Sequence, residues 1–173
     1  DDVANRLDAL HRAGVTVLHG VDATALRQTL LPRLCLAAAA RSEKGDAEAH
    51  SEEEEGNGPL ERVIFNFPHT STRGLKAQRS LVEKFLIEAA PLLTFDGRID
   101  VALCAGQGGT PADGAHLRPW GNHWHVVALA ARAGLVLVEA KPWVPPQSNA
   151  AMEPNAPGAG GDTIRVDAYT PAR

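Results

Sequence analysis

The chain is poor in cysteine, in aromatic residues and in unbroken apolar stretches. Its only two cysteines among 173 residues, Cys35 and Cys104, lie far apart with no CxxC spacing, which excludes a disulfide framework and a cysteine-based metal knuckle. Each is bordered by apolar residues and is expected as a buried thiol. No apolar run approaches the roughly 18 residues that cross a bilayer, and the start lacks the basic and apolar regions of a signal peptide. A soluble, intracellular protein with no membrane partner is therefore expected, with nucleolus, cytoplasm and mitochondrion undistinguished. Also missing are a Walker-type GxxxxGK(S/T) loop and a proper GxGxxG, so neither a P-loop nor a nicotinamide fingerprint is present.

An excess of basic residues is lacking as well. The formal charge is −4, but seven acidic residues stand against one lysine between Ser42 and Gly58, and the remainder carries 16 basic and 14 acidic residues. A near-neutral domain with an acidic insert has no broad basic face of its own. If it acts on RNA, another domain or partner supplies most of the grip.

What is present is the composition of a globular core, 44% hydrophobic with 22% charged residues, in a length that suits one domain. Asp2 to Gly14 carries apolar residues 3, 7 and 10 on one helical face with glycine as the stop. Val15 to Val21 is a β-branched run that reads as a strand. A second helix extends to about Ala40, capped by Asp22 or Thr24, and Pro32 is placed to kink or divide it. Residues 41–59 are charged and without hydrophobic period, and read as a disordered acidic insertion.

Val63 to His69 is a buried-strand pattern halted by proline. An amphipathic helix from about Leu75 to Leu93 follows, with Leu75, Leu81, Val82, Phe85, Leu86 and Ala89 facing inward. Strand Arg98 to Cys104, a glycine-rich loop to Gly121, a helix over Asn122 to Ala133 and strand Leu135 to Lys141 come next. Beyond the Pro/Gly-rich loop 142–162 lies a last strand, Thr163 to Tyr169. This alternation predicts an α/β fold with a mostly parallel sheet, its closing strand antiparallel at the edge.

In such sheets ligands lie outside the carboxyl ends of the strands. Three segments qualify: Asp22-Ala23-Thr24, Asn66-Phe67-Pro68-His69, and Ala105 to Trp120. Asp22 can accept hydrogen bonds from a ribose hydroxyl or an adenine amino group, and serves equally as a helix cap. Asn66 offers a donor and an acceptor, while Phe67 and His69 can stack on or wall a base; the same tetrapeptide also suits a plain strand-ending turn. The glycines of the Gln107 loop suit close packing near a target pocket. His116, His123 and His125 raise the question of a metal. Residues 123 and 125 fall on different sides of a helix, and no carboxylate or cysteine set completes a tetrahedral site, so none is expected. Trp120 and Trp124 read as core or pocket-lining residues ahead of a stacking platform.

The Asn66 to His69 element resembles the (Asp/Asn)-Pro-Pro-aromatic loop of methyltransferases that act on planar nitrogens. VTVLHGVDAT at 15–24 and VIFNFPH at 63–69 are similar to the Rossmann-like family of ribosomal RNA (uridine-N3) methyltransferases. VALCAGQGGTPAD at 101–113 and WGNHWHVVA at 120–128 are closer to relatives fused to a ferredoxin-fold anticodon-binding domain. The resemblance covers about residues 3 to 145 outside the acidic insert. It implies a class I methyltransferase sheet, here without its first strands, and S-adenosylmethionine as cofactor. Asp22, Ala23, Thr24 and Asn66 would then be cofactor contacts, Asn66 and His69 catalytic, and Phe67, Pro68, Gln107 and Trp120 substrate contacts. It further implies an RNA partner, ribosomal by family, with ribosomal or assembly-factor proteins alongside. The family's glycine-rich Gly-x-Gly-x-Phe-Ser loop is absent and the chain opens inside a helix pattern, so a missing beginning is expected. A catalytically inactive, methyltransferase-like scaffold in a ribosome or ribosome-assembly complex is the alternative.

Overall fold

The computed structural model describes residues 2–42, 58–143 and 161–168; for 37–42, 143 and 161–168 it describes the backbone only. Most of the insertion expected at 41–59 and of the loop at 142–162 therefore lies outside the described residues. In chain order the elements are α1 (Asp2–Arg12), α2 (Leu26–Thr29), α3 (Leu31–Ser42), β1 (Leu60–Asn66), α4 (Leu75–Ala89), β2 (Leu93–Cys104), α5 (Val126–Arg132), β3 (Leu135–Trp143) and β4 (Gly161–Ala168). Among the described helices, none is long and apolar enough to cross a membrane.

The fold is α/β. Its four strands are ordered β1-β2-β4-β3. β1 runs parallel to β2, and β4 runs antiparallel to both β2 and β3, so β1, β2 and β3 point the same way. The closing strand is antiparallel as expected, but it lies between β2 and β3 and leaves β3 at the edge. A hairpin return of β4 along β3 lets it insert, pairing Ile99 with Val166 on one side and Leu137 with Val166 on the other.

Helix α4 forms because its apolar residues recur at helical spacing. Val82, Phe85, Leu86 and Ala89 are buried against Ile99, Val101 and Leu103 of β2 and the α5 residues Val126, Leu129 and Ala130. Burial of a side chain such as Leu86 or Val82 contributes about 1.5–3 kcal/mol. Phe65 of β1 reaches the same core, its ring centroid 4.2 Å from that of Phe85. Asp100 is buried on β2 and is paired with Arg62 of β1, which fixes the parallel register where a lone buried carboxylate would be costly.

Three expectations change. Val15 to Gly20 is not a sheet strand; Val15 and Leu18 are exposed, because no described strand lies beside them and a lone strand has no partner for its backbone groups. Both cysteines are exposed: Cys104 is the last residue of β2, just past the run 99–103 that is buried on both faces, and Cys35 lies on an exposed side of α3. The second helix is divided, as Pro32 suggested, between α2 and α3 at Leu30. The side chain of Asp22 caps no helix; the position before α2 is Ala25, with no side-chain cap.

Candidate nucleic-acid and methyl-transfer site

Parallel pairing sets Asn66 opposite Ala102, so the carboxyl ends of β1 and β2 lie side by side. The Phe67 N–H donates to the Ala102 carbonyl at 2.8 Å, and the chain then turns with Phe67 at φ +50°. For a residue with a Cβ the left-handed region costs on the order of 1–2 kcal/mol, and such strain gathers at functional sites. Here it leaves the Phe67 ring 47% exposed beside the exposed Asn66, while Pro68 is buried beneath. His69 Nδ1 lies 2.6 Å from the Thr70 carbonyl. A carbonyl only accepts, so the Nδ1 that faces it carries a proton.

The turn is closed by Gln78, a residue the sequence reading passed over. Its Oε1 accepts the Thr70 N–H at 3.1 Å, and its Nε2 donates to the Thr70 carbonyl at 3.2 Å. Gln78 is 8% exposed and stands four residues before Val82 on the inward stripe of α4. A polar residue in an apolar stripe was the available signal.

The loop after β2 is organised around a second unforeseen residue. Asp113 is 1% exposed, and its carboxylate accepts N–H groups from Gly106 at 2.8 Å, Gly109 at 2.7 Å and Thr110 at 2.9 Å. Charge-assisted bonds of this kind are about twice as strong as neutral ones. Gln107 joins the same turn: its Oε1 accepts the Cys104 N–H at 3.0 Å, and its carbonyl accepts the Trp124 N–H at 2.7 Å.

Gly109, at φ +74°, packs against the ring of His123 so closely that a Cβ would lie 2.1 Å from Nδ1. His123 is buried, and its Nδ1 accepts the His125 N–H at 3.1 Å. Desolvation lowers its pKa from the ordinary 6.5, with help from His125 and the Arg79 guanidinium, so it holds the neutral acceptor form that this bond requires.

Arg79, next to Gln78 on α4, donates to the carbonyls of His123 at 2.6 Å and Gly121 at 2.9 Å. Two consecutive residues of one helix thus clamp the loops after both parallel strands. His123 and His125 are not on opposite sides of a helix: both precede α5, and their ring centroids are 4.6 Å apart. Among the described residues no group of three potential metal ligands occurs. Trp124 is core, at 4% exposure, whereas Trp120 is 70% exposed and stacks on His125.

Asp22, Ala23 and Thr24 form a turn ahead of α2. Asp22 Oδ1 accepts the N–H and the hydroxyl of Thr24, each at 2.8 Å; these bonds, the backbone one foremost, hold its pKa below the ordinary carboxylate value. Ala23 packs on the edge of the core. The next helix is tied to α4 by Arg27, which reaches Glu88 at 2.7 Å. Arg27 is thus held near the carboxyl end of α4, about 15 Å of helix rise from Gln78. A groove of about 480 Å³ lined by Glu61, Arg62, Phe95 and Arg98 opens toward the amino end of β1, the end of the strand opposite the Asn66 to His69 turn.

Residues 1–146 match the model of a family described as "BMT5-like: rRNA (uridine-N3-)-methyltransferase BTM5-like". The chain is 36% identical over 138 residues to the human ferredoxin-fold anticodon-binding domain-containing protein 1, covering 79% of this chain and 18% of that protein. Its mouse homolog is 44% identical over 85 residues, 49% of this chain and 14% of that protein. The chain thus spans less than a fifth of the length of these two relatives. A 16S rRNA (adenine(1408)-N(1))-methyltransferase from Catenulisporales acidiphilia superposes with a TM-score of 0.39 at 12% identity, over 68% of this chain and 53% of the other.

Proposed function

Because the chain belongs to the BMT5-like family of rRNA (uridine-N3-)-methyltransferases, we propose that its Asn66 to His69 turn is the target-facing edge of a site that methylates uridine N3 in ribosomal RNA. S-adenosylmethionine would supply the methyl group. The observation that carries the reading is the turn itself: an exposed amide, a ring presented by a strained backbone, and an exposed imidazole anchored through Nδ1, together at a strand end.

The chemistry follows from those groups. N3 of uridine bears a proton and is flanked by two carbonyls. The Asn66 amide can donate to one carbonyl, and Phe67 can lie against the ring. The N3 proton passes to His69 Nε2, whose other nitrogen is already committed to Thr70. That would leave on N3 an electron pair able to take the methyl group, the sulfonium's S–C bond breaking with its electrons kept by sulfur, which would depart as a thioether. Gln78 acts at one remove, holding the turn so that these groups keep their spacing.

The fit to the cofactor is partial. Asp22 stays ionised and has its second oxygen free for a hydroxyl or amino donor, and Asn66 can border the methyl group. The weak basicity of the chain and its acidic insert favour, as a second reading, a non-catalytic scaffold in a ribosome or assembly complex. Nucleoside mass mapping separates the two: a loss of N3-methyluridine from ribosomal RNA in cells lacking the protein supports the enzyme, and unchanged N3-methyluridine supports the scaffold.

A further inference from the structure

Tryptophan places most of its surface in a core when it serves packing alone, as Trp124 does. Trp120 does the opposite. Its indole is 70% exposed, yet it is not loose: one face lies on the His125 imidazole with centroids 4.2 Å apart and planes 22° from parallel. The His123 ring meets it edge-on at 5.2 Å. His125 sits at φ +57°, a left-handed conformation that a Cβ-bearing residue adopts at a cost. The Trp120 carbonyl accepts from its Nε2. Arg79 fixes the segment from the other side through the carbonyls of Gly121 and His123.

The loop that carries this indole holds one acid. Between Ala105 and His125 the ionisable residues are Asp113, His116, Arg118, His123 and His125. The single acid is buried and turned onto backbone N–H groups, while His116 and Arg118 are exposed. A rigid aromatic face open to solvent, two residues along the chain from the exposed Arg118, has the chemistry of a stacking platform for a nucleobase whose phosphates pass a basic side chain.

We propose that Trp120, backed by His125, stacks an unpaired RNA nucleobase outside the pocket that takes the target uridine. This rests on the RNA reading given above and adds to it a second contact point, which selects single-stranded over duplex RNA because only an unpaired base exposes a free face. Trp120 is a binding residue here and takes no part in proton or methyl transfer.

The test is fluorescence anisotropy of the intact protein with three labelled probes: a short oligouridylate, a duplex RNA of equal length, and polyglutamate. Replacing Trp120 with Ala should weaken oligouridylate binding about ten-fold or more. Trp120→Phe should retain most of the wild-type affinity, and duplex binding should change little. Oligouridylate binding by Trp120→Ala equal to wild type would overturn the proposal. So would equal weakening for all three probes, tighter wild-type binding of polyglutamate than of RNA, or failure of Trp120→Phe to restore binding. If the Trp120 effect appears while N3-methyluridine persists without the protein, the platform stands and the methyltransferase reading falls.

Discussion

Replacing Gly109 with Ala tests the packing that holds the loop after β2. Two costs add. The residue sits at φ +74°, where a Cβ costs on the order of 1–2 kcal/mol. The new methyl would also lie 2.1 Å from His123 Nδ1 and 2.3 Å from its Cε1, so the buried ring must move. Moving it gives up the bond from the His125 N–H at 3.1 Å and disturbs a packed site, for about another 1–3 kcal/mol. Gly134 provides the control, since it has the same φ of +74° but nothing within 4 Å of its added Cβ; Gly134→Ala should show the backbone cost alone. In a thermal melt followed by tryptophan emission, which Trp120 and Trp124 make sensitive to this loop, Gly109→Ala should melt about 2–12 °C below Gly134→Ala. Equal melting temperatures for the two variants would refute the claim that His123 is locked against Gly109.

His123 gives a pH prediction. Its folded pKa is lowered from 6.5 by burial, so the unfolded chain takes up a proton first as pH falls; its contribution to stability is full above about 6.5 and is lost as pH drops toward the folded value. Melting temperature should fall more steeply below about pH 6.5 in wild type than in His123→Asn, and parallel curves would contradict this. Asp113→Asn keeps the size of the side chain but sets an NH2 against one or more of three N–H donors. A loss of about 2–3 kcal/mol is expected, seen as a melting temperature lower by about 4–12 °C; an unchanged melt would show that the carboxylate is not what ties the loop.

Much of the fold was legible because it rests on local pattern. The stripe at Val82, Phe85 and Ala89, the apolar run into Asn66 and the stop at Gly134 each state their element in a few residues. What was not legible depends on partners distant in sequence. Val15 to Val21 has the composition of a strand, but a strand needs a neighbour, and none of the described strands lies beside it. Cys104 is exposed because β2 ends there, past the stretch 99–103 that is covered on both faces. The clamping roles of Gln78 and Arg79 exist only once α4 is laid beside two loops, one of them more than 40 residues away. Asn66, Phe67 and His69 were singled out from their place at a strand end, which is where β1 puts them, whereas Asp113 looked like one more loop acid until its three N–H partners came together. Asp22 was tied to the site by an expected strand that is not in the sheet.

The most direct measurement of the central claim is the N3-methyluridine content of ribosomal RNA in cells that lack the protein and are resupplied with either wild type or Asn66→Ala. Asn66 is exposed at the end of β1, so its loss should leave folding intact. Wild type should restore the modification and Asn66→Ala should leave it absent while accumulating to the same level. Restoration by Asn66→Ala would contradict the placement of the target at this turn.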